Sequence, residues 1–359
     1  MSSLAALIRL GRLKFIPYSF ILALLGALSC DIDHQQHCHD ELRFRVEGFL
    51  PVAFFVACTH VMTHYFNEYF DYEADLANKQ RGKWNGGSGV LPEGLLPPWV
   101  ALTAGNVFLI GSVVTLAFLR TPAQYVACAT VFLSWSYTGP PFKLHYRGLG
   151  EVVVAVVLTW CVPVMGALQR RGDGAFVLPT SLRAIIPLLF VQQFVRMMVM
   201  NLPDIESDLQ CSKITLTAQM GPERVARLYK FVQHATGMVA VGLFASGHMT
   251  WPVLVAFLVA ATKGISLARR LDEIVFPAGT RTDARKKKDD DACTTTAAKV
   301  QKSVVFGNLP YHATIHVAST ALMLVIAQAV VQMLVISPSS FRSLASSFSS
   351  TLLTTTPLL

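Results

Sequence analysis

The sequence predicts an all-α membrane protein with about nine transmembrane helices and a cytosolic N-terminus. Charged residues make up only 14% of the 359 residues, whereas soluble domains carry roughly 25%. The polar stretches are short and alternate with apolar runs long enough to cross a bilayer, which takes roughly 17–25 residues. Basic residues also concentrate on one side of the segments so defined. Together these observations exclude an ordinary soluble globular domain.

The apolar segments are taken in chain order as candidate spans. The approximate limits are 14–30, 49–68, 99–119, 122–139, 151–169, 182–201, 231–248, 250–268 and 311–336. The fourth segment is the least regular because it contains Pro122 and ends in a Gly-Pro-Pro turn. One polytopic domain is therefore expected over 1–336, with a polybasic cytosolic loop inserted at 269–302 and a Ser/Thr-rich tail at 337–359.

The distribution of basic residues sets the predicted orientation. With the N-terminus in the cytosol, the cytosolic loops hold 22 Lys and Arg residues and the opposite side holds 7. Such an excess follows the positive-inside rule. It explains the net charge of +8 without a nucleic-acid partner. We expect an integral multi-pass protein in the lipid bilayer, of the endoplasmic reticulum or mitochondrion if the source is eukaryotic, whose first span is retained.

An acidic cluster closes the second predicted span. Asn67, Asp71 and Asp75 are four residues apart, so a helix would place them on one face. Carboxylates one turn apart repel each other, and a cation between them would remove that repulsion. Mg²⁺ suits this role because it prefers oxygen ligands and often binds one or two carboxylates together with substrate phosphates.

A second acidic cluster closes the sixth predicted span with the same spacing. It contains Asn201, Asp204 and Asp208. By the predicted topology both clusters lie at cytosolic ends, so we expect them to face each other across one cavity. A single cluster would be read more simply as the hydrated start of a loop. The matching pair favours a shared site.

Basic residues and glycines follow these clusters in the neighbouring loops. The first cluster is followed by basic residues and the glycine-rich run 86–94, and the second by Lys213. Cations, a metal and backbone amides together form an anion site that suits a diphosphate. Individually, each Lys or Arg is more simply a determinant of topology.

A diphosphate site at the head of an apolar cavity implies an amphiphilic substrate, and an isoprenyl diphosphate fits. Metal and cations would stabilise the leaving diphosphate, and the allylic cation must be kept from water. Some side chains near the motifs are candidates for an acceptor or cation pocket, with packing or an ion pair as the simpler alternative. These candidates are His64, Tyr137, Asn201 and Arg196.

The paired motifs Asn67-x-x-x-Asp71-x-x-x-Asp75 and Asp204-x-x-x-Asp208 resemble those of the UbiA superfamily of intramembrane prenyltransferases. The resemblance runs over about residues 10–335. It implies nine helices around a central cavity that opens to the membrane. The stretches 86–96, 146–151 and 201–208 look closest to the 1,4-dihydroxy-2-naphthoate prenyltransferases.

The resemblance implies a role for each matching residue. Expected catalytic residues are Asn67, Asp71, Asp75, Asp204 and Asp208. Expected Mg²⁺ ligands are Asp71, Asp75, Asp204 and Asp208. Expected diphosphate contacts are Lys79, Arg81, Lys143, Arg147 and Lys213. The chain departs from these relatives at Leu202-Pro203, where they usually carry a basic or polar residue, which suggests specialised metabolism.

Three functions are compatible with this pattern. The leading hypothesis is a prenyltransferase that ionises an isoprenyl diphosphate and alkylates an aromatic acceptor. A terpene cyclase would ionise the same diphosphate but trap the cation within its own chain. A non-catalytic carrier or sensor of isoprenoid lipids would tolerate the loss of Asp71 or Asp208 better than either enzyme.

Overall fold

Helices form the regular structure of this protein, and the described residues contain no strand. The computed structural model describes residues 2–37, 46–78, 81–82, 84, 86–170, 175–276, 306 and 308–336. A helix satisfies its interior backbone polar groups within its own segment, as a membrane requires. The helices are α1 (Ser3–Leu10), α2 (Ile16–His37), α3 (Val46–Phe70), α4 (Tyr72–Ala77), α5 (Pro98–Thr115), α6 (Thr121–Thr138), α7 (Gly150–Val156), α8 (Val162–Arg170), α9 (Thr180–Asn201), α10 (Ile205–Gln210), α11 (Leu216–Ala245), α12 (Trp251–Val275) and α13 (Leu309–Ile336).

Within the described ranges, seven helical segments are long and apolar enough to cross a membrane. They are Leu13–Cys30, Gly48–Phe70, Pro98–Leu116, Gly150–Arg170, Thr180–Gln210, Trp251–Val275 and Leu309–Leu334. Helices α6 and α11 are not among them, because α6 ends in hydroxyl side chains and α11 carries charges in its first half. The count of nine spans and the cytosolic N-terminus stay predictions.

Helices α11 and α12 extend beyond the seventh and eighth predicted spans. The seventh predicted span, 231–248, belongs to a helix that begins at Leu216 and is interrupted at Gly221, where φ is 74°. The eighth extends beyond 268 to Val275, because Leu271 continues its buried apolar face. The predicted polybasic loop therefore begins as helix. Its remainder at 277–302 and the predicted tail at 337–359 lie outside the described residues.

Small residues bring α2 and α8 into close contact. A Cβ atom on Gly26 would lie 1.8 Å from the carbonyl oxygen of Pro163, and one on Gly166 would lie 2.2 Å from that of Ala23. Glycine at these positions lets the two backbones approach, as is common between membrane helices. The contact holds together helices that are distant in sequence.

Helix α2 also packs against α13, the last described helix. The Gln328 side chain donates to Ser29 Oγ at 3.2 Å, and the Gln332 side chain donates to the Leu28 carbonyl at 3.1 Å. The first long helix and the last one are therefore joined by hydrogen bonds inside an apolar region.

A cavity of about 330 Å³ lies among the long helices. Its wall is formed by α2, α3, α6, α7 with the π-helical segment Val157–Cys161, α9 and α13. Helix α5 packs outside α3, and α11 and α12 pack outside α9 and α13. The C-terminal ends of α3 and α9 meet at one end of the cavity, where both acidic motifs lie.

Candidate active site

The first acidic motif forms a continuous polar face. Although α3 ends at Phe70, the Asp71 amide donates to the Asn67 carbonyl at 2.9 Å, and the Asp75 amide donates to the Asp71 carbonyl at 2.9 Å. The helical repeat thus continues through the motif. All three side chains line the cavity, on the shared face that the spacing predicts.

The second motif is reached through a tighter turn. After α9 ends at Asn201, residues Leu202–Asp204 form a 3₁₀ turn and α10 follows. Proline lacks an amide hydrogen and is tolerated in a first helical turn, which accounts for Pro203. Asp204 and Asp208 line the same cavity as the first motif. The two motifs therefore face one space, as predicted.

Lys213 connects the two motifs. Its Nζ lies 2.9 Å from Asp71 Oδ2 and 3.3 Å from Asp208 Oδ1, and all three residues are buried. Burial alone would lower the pKa of Lys213, but the carboxylates of Asp71 and Asp208 outweigh it and raise the pKa well above that of an exposed lysine. Lys213 is thus a fixed positive charge at the centre of the acidic site.

The second motif is braced by amide donors. Asn78 Nδ2 donates to Asp204 Oδ1 at 2.9 Å, and the Gly86 amide donates to Asp204 Oδ2 at 3.2 Å. Asn201 Nδ2 donates at 3.1 Å to Glu151, which is fully buried. The predicted pocket residue Asn201 therefore points to a structural partner as well as to the cavity that it lines.

The glycine-rich loop lies directly against the first motif. Gly87 has a φ of +77°, and a Cβ atom there would lie 2.1 Å from Asp75 Oδ2. Only glycine fits so positive a φ and so close an approach without strain. Arg81 holds this loop in place, since its guanidinium donates to the backbone carbonyls of Asp75 and Gly86.

A buried ion pair behind the loop was not predicted from the sequence. The Glu68 carboxylate accepts from the Arg12 guanidinium, and from the Ser88 amide and hydroxyl at 2.6 Å each. Glu68 is 1% exposed. The acidic residue Glu68 beside the first motif was the sequence feature that could have indicated an ion pair. The spacing of the residues did not show that Arg12 would be its partner.

The predicted diphosphate contacts fall into different surroundings. Lys213 lines the cavity, whereas Arg81, Lys143 and Arg147 do not. The Arg147 side chain is exposed and donates to the Pro141 carbonyl at 3.3 Å, and Lys143 lies over the Tyr146 ring. Lys79 lies outside the described residues. The phosphate role of all five residues stays a prediction.

The predicted pocket residue His64 belongs to a hydrogen-bonded histidine pair in the cavity wall. Its Nε2 lies 3.0 Å from His60 Nε2, and His60 Nδ1 lies 2.7 Å from Ser19 Oγ. The His64 ring also stacks on Phe15 at a centroid distance of 5.6 Å. Polar groups therefore extend from the first motif along the wall.

Tyr137 and Arg196, the other predicted pocket residues, also line the cavity. The Tyr137 ring is buried and stacks on His145 at a centroid distance of 4.6 Å. Arg196 is buried on α9, and one of its terminal nitrogens lies 3.3 Å from Thr314 Oγ1 on α13. All four predicted pocket residues thus share one cavity.

The residues of the first motif fit a bound Mg²⁺. Asn67 Oδ1, Asp71 Oδ1 and Asp75 Oδ2 are buried without a hydrogen-bond partner. Burial and then the Glu68 carboxylate raise the pKa of Asp75 well above that of an exposed aspartate, so nearby positive charge would favour its ionised form. In the described part of the chain, no group of three or more Asp, Glu, His or Cys side chains is placed to hold a metal ion by itself. The protein would supply part of a ligand set, which Mg²⁺ completes with water and phosphate.

Comparison with known sequences gives two matches of different extent. The model of the UbiA prenyltransferase family matches residues 41–274. Over 158 residues the chain is 34% identical to 1,4-dihydroxy-2-naphthoate octaprenyltransferase of Mycobacterium leprae (strain TN). The aligned region covers 42% of this chain and 51% of that protein. The chain therefore matches about half the length of this relative.

Several solved structures share the fold. A UbiA homolog from Aeropyrum pernix K1 matches with a TM-score of 0.58 at 16% identity, over 87% of this chain and 98% of its own. A digeranylgeranylglyceryl phosphate synthase structure matches with a TM-score of 0.57 at 16% identity, over 91% and 99%. A UbiA homolog from Archaeoglobus fulgidus bound to DMAPP and Mg²⁺ matches with a TM-score of 0.50 at 13% identity, over 89% and 98%.

These matches agree with the architecture described above. The predicted all-helical, multi-pass membrane class is confirmed by the apolar helices and by structures that align over most of this chain. The family model spans both acidic motifs, the glycine-rich loop and Lys213, which are the residues that build the polar end of the cavity. The chain belongs to the UbiA prenyltransferase family.

Proposed function

We propose that this chain transfers an isoprenyl group from its diphosphate to an aromatic acceptor, in a Mg²⁺-dependent reaction within the bilayer. One observation carries the proposal: acidic motifs from α3 and α9 meet at the polar end of a largely apolar cavity, with three buried oxygens left unpartnered. The naphthoate prenyltransferase relative and the homolog bound to DMAPP and Mg²⁺ support it.

The polar end of the cavity would hold the diphosphate. Mg²⁺ bound by Asp71 and Asp75 would supply positive charge to the departing phosphate oxygens. Lys213 adds a fixed cation beside them, and the glycine-rich loop keeps Asp75 in place. As the carbon–oxygen bond breaks, the diphosphate leaves with the electron pair. An allylic cation remains in the cavity.

The apolar part of the cavity would hold the prenyl chain and the acceptor ring. Its wall includes Val154, Val157, Leu158 and Ile315, which offer no nucleophile and exclude water from the allylic cation. The π electrons of the ring then form the new carbon–carbon bond. The ring regains aromaticity by losing a proton or, from a carboxylated position, CO₂.

Product analysis in membranes tests this function. Labelled geranyl, farnesyl and geranylgeranyl diphosphates would be supplied with Mg²⁺, each with and without 1,4-dihydroxy-2-naphthoate or 4-hydroxybenzoate. We expect label on an aromatic ring only when acceptor is present. A cyclic hydrocarbon formed without acceptor would show a terpene cyclase instead.

A double variant separates both enzymes from a lipid-binding protein. Asp71→Asn combined with Asp208→Asn removes one carboxylate from each motif. We expect this variant to abolish product formation while remaining in the membrane fraction. Full function in the double variant would favour a non-catalytic isoprenoid-binding protein and would overturn the proposed role of the motifs.

A further inference from the structure

Arg196 is a buried cation, and no carboxylate among the described residues balances its charge. It is 6% exposed, and its terminal nitrogens lie 3.2 Å from Met197 Sδ and 3.3 Å from Thr314 Oγ1. Its Nε has no hydrogen-bond partner. A thioether is a weak acceptor and a hydroxyl is neutral, so neither balances the charge.

A buried arginine normally has an anionic partner, because removing its charge from water is strongly unfavourable without one. In the described part of the chain, the buried carboxylates near the cavity have other contacts. Glu68 pairs with Arg12, Glu151 accepts from Asn201 and Thr217, and Asp71 and Asp208 pair with Lys213. Asp75 keeps one free oxygen, but it lies against Gly87 at the aspartate end of the cavity and not against Arg196. The anion that suits Arg196 would therefore come from a ligand.

The position of Arg196 indicates which part of a ligand it meets. Arg196 lines the same cavity as the aspartates, but it lies on α9 about two helical turns before Asp204 in the chain. That separation corresponds to roughly 12 Å along the helix axis. The diphosphate is assigned to the aspartate end, and a prenyl chain carries no charge. The remaining substrate in the cavity is the aromatic acceptor.

We propose that Arg196 binds a carboxylate on the aromatic acceptor, so that the chain selects carboxylated phenols or naphthols over uncharged ones. This inference rests on the proposed prenyl transfer. A guanidinium presents parallel donors that match a carboxylate in pairs, and Arg196 Nε is free to be one of them. Thr314 on the neighbouring helix α13 donates to the Pro310 carbonyl at 2.9 Å, and its hydroxyl contacts the guanidinium.

The kinetic test uses matched acceptors that differ only in the carboxylate. Arg196→Gln is expected to raise the KM for 1,4-dihydroxy-2-naphthoate by about 10- to 100-fold, the loss of a charged hydrogen bond. The KM for prenyl diphosphate, and transfer to 1,4-dihydroxynaphthalene, should stay within about twofold of wild type. Arg196→Lys keeps the charge but loses the paired geometry, and should restore part of the naphthoate KM.

A binding measurement gives a readout independent of turnover. In detergent, 1,4-dihydroxy-2-naphthoate should raise the melting temperature of the wild-type protein and of Arg183→Gln, but not that of Arg196→Gln. Arg183 is the matched control because it lies on α9, is exposed and donates to the Leu178 carbonyl outside the cavity. Melting of the unliganded variants checks that each one folds.

The outcomes separate this inference from the proposed function. Absence of transfer to any acceptor by wild type overturns the prenyltransferase. Transfer with equal loss for carboxylated and uncharged acceptors in Arg196→Gln overturns the inference alone. Stabilisation of Arg196→Gln by the naphthoate, to the same extent as wild type, also overturns it.

Discussion

The two acidic motifs share one spacing but differ in how their oxygens are used. In the first motif, Asn67, Asp71 and Asp75 each keep a buried oxygen without a partner. In the second, both oxygens of Asp204 accept amide hydrogens, and Asp208 pairs with Lys213. Equal spacing therefore does not mean equal hydrogen bonding. The free oxygens of the first motif fit the proposed Mg²⁺, whereas Asp204 and Asp208 of the second motif already have protein partners.

The difference arises from what each motif packs against. The glycine-rich loop covers Asp75 but brings no donor to its free oxygen. The same loop directs its Gly86 amide to Asp204, and Asn78 does so from the end of α4. The glycine-rich loop thus leaves an oxygen of Asp75 in the first motif without a donor, and it donates a hydrogen bond to Asp204 in the second motif. Lys213 is the charge that both motifs share.

The largest expected effect comes from replacing one aspartate in each motif and comparing the two losses of activity. Asp71→Asn should lower kcat by about 10³-fold, because it removes a carboxylate that would hold Mg²⁺ at the leaving diphosphate. Asp204→Asn should cost about tenfold, the scale of one or two braced hydrogen bonds. Initial rates at saturating Mg²⁺ measure both. Equal losses in the two variants would contradict the distinction between the motifs.

Removing the shared cation should produce the next effect. Lys213→Gln leaves Asp71 and Asp208 buried without their common partner, which should cost about 3–5 kcal/mol of stability. Added Mg²⁺ should raise the melting temperature of this variant more than that of wild type, because the ion replaces the lost charge.

A surface lysine provides the control for that measurement. Lys230 pairs with Asp272 at 2.9 Å but is half exposed, and exposed pairs contribute about 0–1 kcal/mol. Lys230→Gln should therefore melt close to wild type with or without Mg²⁺. An Mg²⁺ response of the same size in both variants would remove Lys213 from the acidic site.

The smallest expected effect concerns the glycine-rich loop. Gly87→Ala would place a Cβ atom 2.1 Å from Asp75 Oδ2 and should lower activity by about tenfold. Gly94→Ala has a similarly positive φ of +68° but open space around its Cβ position, so it carries only the backbone strain. Activity and melting temperature of both variants should be compared. Matching losses would assign the effect to strain and not to displacement of Asp75.

The sequence was most informative where a periodic pattern sets the structure. Apolar runs predicted the long helices, and the four-residue spacing predicted that Asn67, Asp71 and Asp75 share a face, which the backbone hydrogen bonds continue across the end of α3. Such patterns depend on local geometry. The same local reasoning ended the eighth helix too early, because its last turns are amphipathic and not wholly apolar.

The spacing of residues along the chain could not predict contacts between residues that are distant in sequence. Basic residues in the loops predicted a phosphate site, but Arg81 turns back onto its own loop and Arg147 faces the solvent. The Arg12–Glu68 pair joins positions far apart in the chain. Where a long flexible side chain points depends on partners that only the assembled fold brings near.

The hydrogen bonds between α2 and α13 have a consequence for synthesis of the protein. Helix α13 supplies Thr314, Ile315 and Ala318 to the cavity wall and closes against the first long helix. A nascent chain whose α13 has not yet left the ribosome lacks one side of the cavity wall. An allylic cation formed there would meet lipid or water. The cavity wall therefore becomes complete only after α13 has been synthesised, and a chain without α13 would not shield the proposed reaction.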